Sequence, residues 1–284
     1  MSSGGIVRTP RRPEGWVAPG PAPAGAQGRP ELEPAADEDL GLLAGDWRIF
    51  QKIRGHRWSL DDLVTAYVAC ELTPAPRRAL DLGCGLGSVL LLVAWRHPGA
   101  EVIGIEAQAD RAALGRRSIA YDGVADRCRI LDGDLRDDHA TLGAFELVTG
   151  TPPYFPRGTG TESAAPHAAP CRFELRGGVE DYLRAAAARL APGGHVVVCT
   201  SALERERVIA GGAAAGLGHR THTDVVPRAG KPPLVMVDVF DGVAGAGSPS
   251  SSELVVRDRD GAWTEAFRAV RAAFGMPTAP PTQR

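Results

Sequence analysis

Asp81-Leu82-Gly83-Cys84-Gly85-Leu86-Gly87 lies between a short apolar run at 79–81 and an apolar helical pattern at 88–95. Three glycines therefore occupy a strand-to-helix turn. Such a turn aims backbone N–H groups and a helix N-terminus at whatever sits above the strand end, which is the geometry of a nucleotide pocket. Taken alone, the triplet also suits an ordinary tight turn. The spacing is G-x-G-x-G rather than the G-x-G-x-x-G of dinucleotide folds, and Asp81 precedes the first glycine by two residues. A carboxylate there would repel a pyrophosphate but suits a ligand carrying an ammonium and a sulfonium.

Outward from this turn the chain alternates between strand and helix patterns. Strands are expected at 79–81, 102–105, 128–131, 145–148 and 195–199, with helices at 88–95, 109–120 and 179–190 between them. That alternation predicts an α/β domain with a mostly parallel sheet covered by helices on both faces. Two further strands, 219–226 and 234–240, have a connection too short for a helical crossover and must pair antiparallel, giving a seven-stranded sheet with a C-terminal antiparallel hairpin. A turn is expected at Pro192-Gly193-Gly194, and a flexible Gly/Ser loop at 241–252. A short strand at 254–256 and a helix around 263–274 close the chain. Capping boxes open two helices, from Ser59 to Asp62 and from Ser201 to Glu204.

Residues 1–39 are dominated by Pro, Gly and Ala and read as a disordered tail, leaving 40–284 as one domain. Arg8, Arg11 and Arg12 in that tail read as solvated charges, or alternatively as an RNA-touching arm. At a formal net charge of -2 the molecule has no bulk basic field, so any nucleic-acid contact must be a local patch. Five cysteines without a C-x-x-C pair fit neither a disulfide framework nor a zinc site of usual spacing, and no metal is expected. The longest uncharged apolar run, 89–95, is too short to cross a bilayer, and the N-terminus lacks the apolar stretch of a signal peptide. The expectation is a soluble, cytoplasmic protein that engages no membrane. His97 and His167 are isolated and receive no role. Oligomeric state is not legible in the sequence.

At the ends of the next strands stand further candidates. Glu106 closes the second strand, where an acidic side chain can accept both hydroxyls of a ribose. Asp134 follows the third, placed either to accept from an adenine amino group or to cap the following turn. After the fourth comes Thr149-Gly150-Thr151-Pro152-Pro153-Tyr154-Phe155-Pro156, a proline-stiffened turn over the switch-point crevice with a tyrosine face on which a planar group can stack. The loop 157–171 beside it reads as a substrate lid or an idle surface loop.

From about residue 46 onward the chain resembles the bacterial tRNA1(Val) adenine-37 N(6)-methyltransferase family. The likeness rests on Gly55-His56-Arg57-Trp58-Ser59-Leu60-Asp61, the glycine motif, Thr151-Pro152-Pro153-Tyr154-Phe155, Cys171-Arg172-Phe173-Glu174, and Leu254-Val255-Val256-Arg257 with Trp263-Thr264-Glu265-Ala266-Phe267. It implies a Rossmann-like class I methyltransferase using S-adenosyl-L-methionine, with tRNA as partner. Under it, Asp61, Asp81, Gly83, Gly85, Gly87, Glu106 and Asp134 would bind the cofactor, Asp61 near its methionine end. Thr151, Pro152, Pro153 and Tyr154 would form the catalytic motif. In that family the first motif residue is Asn, whose side-chain oxygen, together with the first proline's carbonyl, accepts hydrogen bonds from the target amine. Here it is Thr151, with a shorter hydroxyl and no amide plane.

Three functions fit these features. The first is methylation of an adenine amine in tRNA, which a basic set of Arg48, Lys52, Arg54 and Arg57 near the pocket mouth would assist. The second is methylation of a protein glutamine or a small molecule. The third is a catalytically weakened cofactor-binding homologue, which the replacement at Thr151 permits.

Overall fold

A computed structural model describes residues 4–154, 174, 176–242 and 249–279. The strand and helix patterns condense into an eight-stranded sheet. Its strands are β4 (Arg78–Leu82), β5 (Glu101–Glu106), β6 (Cys128–Asp132), β7 (Phe145–Gly150), β8 (Leu190–Ser201), β9 (Gly218–Val226), β10 (Val235–Asp241) and β11 (Ser250–Val255). They lie in the order β11-β9-β10-β8-β7-β4-β5-β6. Strands β4 to β8 run parallel, and β10 is antiparallel to both β8 and β9. The chain leaves β4 towards β5 and β6, then returns to place β7 on β4's other side, so the strand order reverses between β4 and β7. A crevice opens at the carboxyl ends of strands where the order reverses.

Period-two alternation explains why both faces of this sheet are covered. In β8, Val197 and Cys199 point into one apolar cluster, while Val196 and Val198 point into the other. Helices α1 (Leu60–Leu72), α2 (Ser88–Arg96), α3 (Ala109–Asp122) and, at the C-terminus, α6 (Glu265–Ala273) cover the first face. On the second lie α4 (Val179–Arg189) and α5 (Arg205–Ala214). The capping box expected at α1 forms, the Ser59 N–H donating to Asp62 Oδ2 at 2.9 Å. At the other expected box, Ser201 caps a short 3-10 turn (Ala202–Glu204) and α5 begins only at Arg205.

Two local expectations are revised. The eighth strand, β11, is longer than the short segment expected at 254–256 and adds parallel to β9 at the sheet edge. Strand β8 starts before the Pro192-Gly193-Gly194 turn, which becomes an irregularity where the pairing jumps from Phe145↔Leu190 to Leu147↔His195. Of the flexible loop expected at 241–252, residues 243–248 lie outside the described part.

The larger correction concerns the N-terminus. A disordered tail over 1–39 is expected, yet residues from 4 onward lie against the domain in a second, three-stranded sheet. It comprises β1 (Ile6–Val7), β2 (Glu38–Leu42) and β3 (Arg48–Lys52) in that order, so the boundary placed at residue 40 falls inside β2. Charge pairing, added to the burial of Leu32 and Leu40, explains the order. Asp39 is fully buried, and Arg8 and Arg57 reach its Oδ2 at 2.7 and 2.8 Å. Burial pushes the Asp39 carboxyl up, but the two guanidinium partners outweigh it and hold the group below its usual range. Arg117 of α3 reaches Glu38 at 2.7 Å and the carbonyls of Glu31 and Glu33. The open edge of β3 is closed by side chains of α3, since Arg48 N–H donates to Asp122 Oδ1 and Phe50 N–H to Ser118 Oγ, both at 2.9 Å. Of the arginine cluster, Arg8 and Arg12 are thus structural, Arg12 pairing with Asp46 and lying over Trp16.

Removing residues 1–38 should therefore lower the melting temperature by about 5 °C or more, because Asp39 and Arg117 lose partners and Leu32 leaves the core. Thermal unfolding of the truncated and full chains checks this, and an unchanged midpoint would restore the free-tail reading.

Candidate active site

The crevice is built on the turn after β4. Gly83 and Gly85 adopt φ of +58° and +57°, a region disfavoured for any side chain. A Cβ at Gly83 would lie 2.2 Å from the Tyr182 hydroxyl, and one at Gly85 would lie 2.4 Å from Arg111 Nη2. Bare backbone is therefore needed at both positions. Gly87 caps α2 in the left-handed region. Glu106, at the end of β5, fixes the turn from the side. Its Oε2 accepts the Gly85 N–H at 2.8 Å and its Oε1 accepts the Gln108 N–H at 2.7 Å.

Around this turn the structure opens a cleft of about 800 Å³, counting the part open to solvent. Of the residues singled out in the sequence, Gly83, Gly85, Glu106, Asp134, Thr151 and Pro153 line it. Asp61, Asp81, Gly87, Pro152 and Tyr154 do not. Asp81 lies beneath, 3% exposed, accepting from the Thr149 hydroxyl at 2.8 Å and the Leu90 N–H at 3.2 Å. Burial pushes its carboxyl up to about 7 against the pull of those two bonds. Asp134 sits in the wall with both carboxylate oxygens on Arg136, which keeps it below the usual range.

The sequence points to Asp61, and the structure turns its neighbour to the cleft instead. Asp62 lines the cleft, while Asp61 turns aside to the Ser59 hydroxyl and the Tyr154 hydroxyl, the latter at 2.6 Å. Burial, reinforced by the charge of Asp61, raises the Asp62 carboxyl to about 8. Helix periodicity cannot say which of two adjacent acids on a first turn faces a pocket. His56 and Trp58, inside a segment already notable in the sequence, also line the cleft, as do Arg111, Arg176 and Tyr182. Nothing in the sequence signals Tyr182, whose placement follows from packing against Gly83 and Gly150.

Thr151-Pro152-Pro153-Tyr154 leaves the end of β7 beside this cleft, with Pro152 buried and Thr151 and Pro153 facing the opening. Tyr154 is not a free platform. It packs against the core, and its hydroxyl ties the motif to the first turn of α1 through Asp61, with Cys199 Sγ at 3.8 Å. Phe155, Pro156, the loop at 157–171, His167 and Cys171-Arg172-Phe173 lie outside the described residues. The basic set near the mouth is largely spent internally. Lys52 pairs with Asp37 and Glu38, Arg57 with Asp39, and Arg48 donates to the Arg8 carbonyl.

Comparison with known proteins agrees with this geometry. Residues 79–157, which hold the glycine turn, Glu106, Asp134 and the proline motif, match the family described as "Methyltransferase domain". The chain is 26% identical over 204 residues to a tRNA1(Val) (adenine(37)-N6)-methyltransferase from Aeromonas hydrophila, covering 70% of this chain and 82% of that one. The chain is a class I, S-adenosylmethionine-dependent methyltransferase. A release factor glutamine methyltransferase from Chlorobaculum tepidum is 35% identical over 80 residues, 27% of each chain. In fold, the methyltransferase is similar to a predicted O-methyltransferase from Agrobacterium tumefaciens, at a TM-score of 0.59 and 22% identity, over 76% of this chain and 98% of that one. Among the described residues no helix is long and apolar enough to cross a membrane.

The buried state of Asp81 gives this methyltransferase a pH signature. A carboxyl whose folded value is raised stabilises the fold below its unfolded value near 4, and that contribution is lost as pH rises through about 7. In the unliganded protein, Asp81→Asn should flatten this limb of the stability–pH curve, a difference of roughly 4 kcal/mol when fully developed. Chemical denaturation of both proteins from pH 4 to 8 measures it, and parallel curves would exclude the assignment.

Proposed function

We propose that this methyltransferase modifies the exocyclic amine of an adenine in tRNA, in the cytoplasm. The observation that carries the reading is coverage. Similarity to the Aeromonas hydrophila tRNA1(Val) (adenine(37)-N6)-methyltransferase runs through 70% of the chain, whereas similarity to the Chlorobaculum tepidum glutamine methyltransferase extends over 27% of it. The latter stretch is the length of one cofactor-binding half and says little about the acceptor.

The cleft suits the cofactor chemically. Its carboxylates, Asp62, Glu106 and Asp134, face a single space whose floor is bare glycine backbone, a donor set for a ligand that is cationic at one end and carries hydroxyls and an amino group at the other. In this reading Glu106 accepts the ribose hydroxyls through the lone pairs left over from Gly85 and Gln108. Asp62, with Asp81 beneath, neutralises the cationic end, and Asp134 faces the adenine. S-adenosylmethionine supplies a methyl group on a positively charged sulfur, a leaving group that needs no further activation.

The task left to the protein is placement of the acceptor nitrogen. An aromatic amine delocalises its lone pair into the ring, so acceptors for its N–H bonds return electron density to nitrogen and fix its direction of approach. The Thr151 hydroxyl and the Pro152 carbonyl take that role here. Bound S-adenosylmethionine would supply its methyl group to the nitrogen so placed, giving up the carbon–sulfur bond, and the proton released by the new secondary amine would leave to water. Tyr154 holds the motif through Asp61 and offers what remains exposed of its ring to the base.

Methyl transfer from labelled cofactor to unmodified tRNA tests the substrate. Thr151→Asn should keep or raise turnover. Tyr154→Phe should retain most activity through the ring, and Tyr154→Ala should lose a contact worth about 1 to 3 kcal/mol. If Thr151→Asn abolishes an activity that the wild type shows, the threonine serves another acceptor and a protein or small-molecule substrate is favoured. If wild type and variants are all silent on tRNA while cofactor still binds, the reading as a weakened cofactor-binding homologue takes its place. Separately, Glu106→Ala should weaken S-adenosylmethionine binding in calorimetry by about 1 to 3 kcal/mol.

A further inference from the structure

Far from the cleft, at the hairpin end of the sheet, two histidines and an aspartate meet in an arrangement that the methyl-transfer chemistry does not use. His219 Nε2 lies 2.7 Å and His222 Nδ1 lies 2.9 Å from Asp238 Oδ1. Their spacing alone would not bring them together. In a regular strand, residues three apart face opposite sides. The register of β9 on β10 shifts between Val239 and Phe240, so that Val239 pairs with Thr221 and Phe240 with His219, leaving Arg220 as an extra residue. That bulge turns His219 onto the face that already carries His222, and Asp238 stands directly opposite His222 in the ladder. Bulges of this kind re-aim side chains.

We infer that His219, His222 and Asp238 form a binding site for a divalent transition-metal ion of the zinc(II) class, which pins the β9–β10 hairpin. Three observations support it. One ligand atom from each of the three residues falls within a sphere of mutual separations below 4.8 Å. Bonds of about 2.0 to 2.1 Å in a tetrahedral site separate neighbouring ligand atoms by roughly 3.3 Å, so each histidine nitrogen has to move only about half an ångström away from Asp238 Oδ1, while the separation of the two nitrogens stays within 4.8 Å. Second, Asp238 is fully buried and its Oδ2 has no hydrogen-bond partner among the described residues. An orphaned buried carboxylate oxygen is costly, and an ion beside it removes the cost. Third, the outer partners are those of a metal-bound imidazole. His222 presents Nδ1 to the triad while its Nε2 faces Asp224 Oδ1 at 3.0 Å, and Arg205 Nη2 holds both oxygens of Asp224 at 2.8 Å. Histidine ligands characteristically donate their second N–H to a carboxylate in this way.

The His219 side chain retains 12% exposure, which leaves a route for the ion and for a water as fourth ligand. None of these residues lines the cofactor cleft, so the site is structural and independent of the methyl-transfer reading. It also stands against the expectation from cysteine spacing that the protein uses no metal, since that expectation examined cysteines and the histidine pair is aligned only by the bulge.

Titration of zinc(II) into chelator-treated full-length protein, followed by calorimetry and by thermal unfolding, tests the site. One equivalent should bind per chain and raise the melting temperature. Asp224→Asn, which leaves the three ligands in place, should weaken binding by about 10- to 100-fold, and His219→Ala by at least about tenfold, with cofactor affinity unchanged in both. Cobalt(II) in place of zinc should give visible bands of a tetrahedral nitrogen–oxygen site that disappear in His222→Ala. Absence of saturable zinc binding in the wild type overturns the proposal, as does undiminished binding in both Asp224→Asn and His219→Ala. Strong thiolate-to-cobalt charge transfer would also overturn it, by moving the ion to a cysteine.

Discussion

Glu106 accepts one backbone N–H from the turn after β4 and another from the turn after β5, and the crevice depends on those two bonds. Neighbouring parallel strands leave their carboxyl ends unsupported, since each chain departs into a different helix. A buried carboxylate bridging the two departures converts separate loops into one wall. The same oxygens face the cleft, so the group that shapes the pocket also presents its charge to the ligand. Replacement by an apolar side chain would leave two donors without partners as well as removing the acceptor.

Beneath that wall, Asp81 extends the same logic inward. Its carboxylate joins β4 to β7 through Thr149 and to α2 through Leu90, in surroundings where the charged form is disfavoured. Asp62 is in a similar state on the other side of the turn. Asp62, opening onto the cleft, and Asp81 beneath it, both disfavoured as anions by burial, make a site that gains when a cation arrives, because the cation stabilises the ionised form that the fold alone resists. Tyr154 links the proline motif to the first turn of α1 through Asp61, the neighbour of cleft-lining Asp62.

The N-terminal sheet shows the opposite balance. Its strands carry Glu38, Asp39 and Arg48, residues that argue against a strand on propensity alone. The acids are accommodated because arginines from three distant segments, Arg8, Arg57 and Arg117, converge on Glu38 and Asp39, while Arg48 donates to the Arg8 carbonyl. The same pairing consumes basic side chains that would otherwise be available to a polyanion, so a tRNA contact by this face would require residues beyond the paired set.

The sequence by itself determined the α/β class, the glycine turn with Asp81 and Glu106 around it, the proline motif at the end of β7, and the antiparallel hairpin. These depend on local signals: apolar period, glycine and proline geometry, capping residues and connection length. Tertiary structure decided the rest. The choice of Asp62 over Asp61 for the cleft, the tethering of Tyr154, the entry of Tyr182 and the ordering of residues 4–42 each depend on a partner tens of residues away. The meeting of His219 with His222 and Asp238 depends on a register shift between strands, and a bulge is a property of pairing that neither strand's own sequence displays.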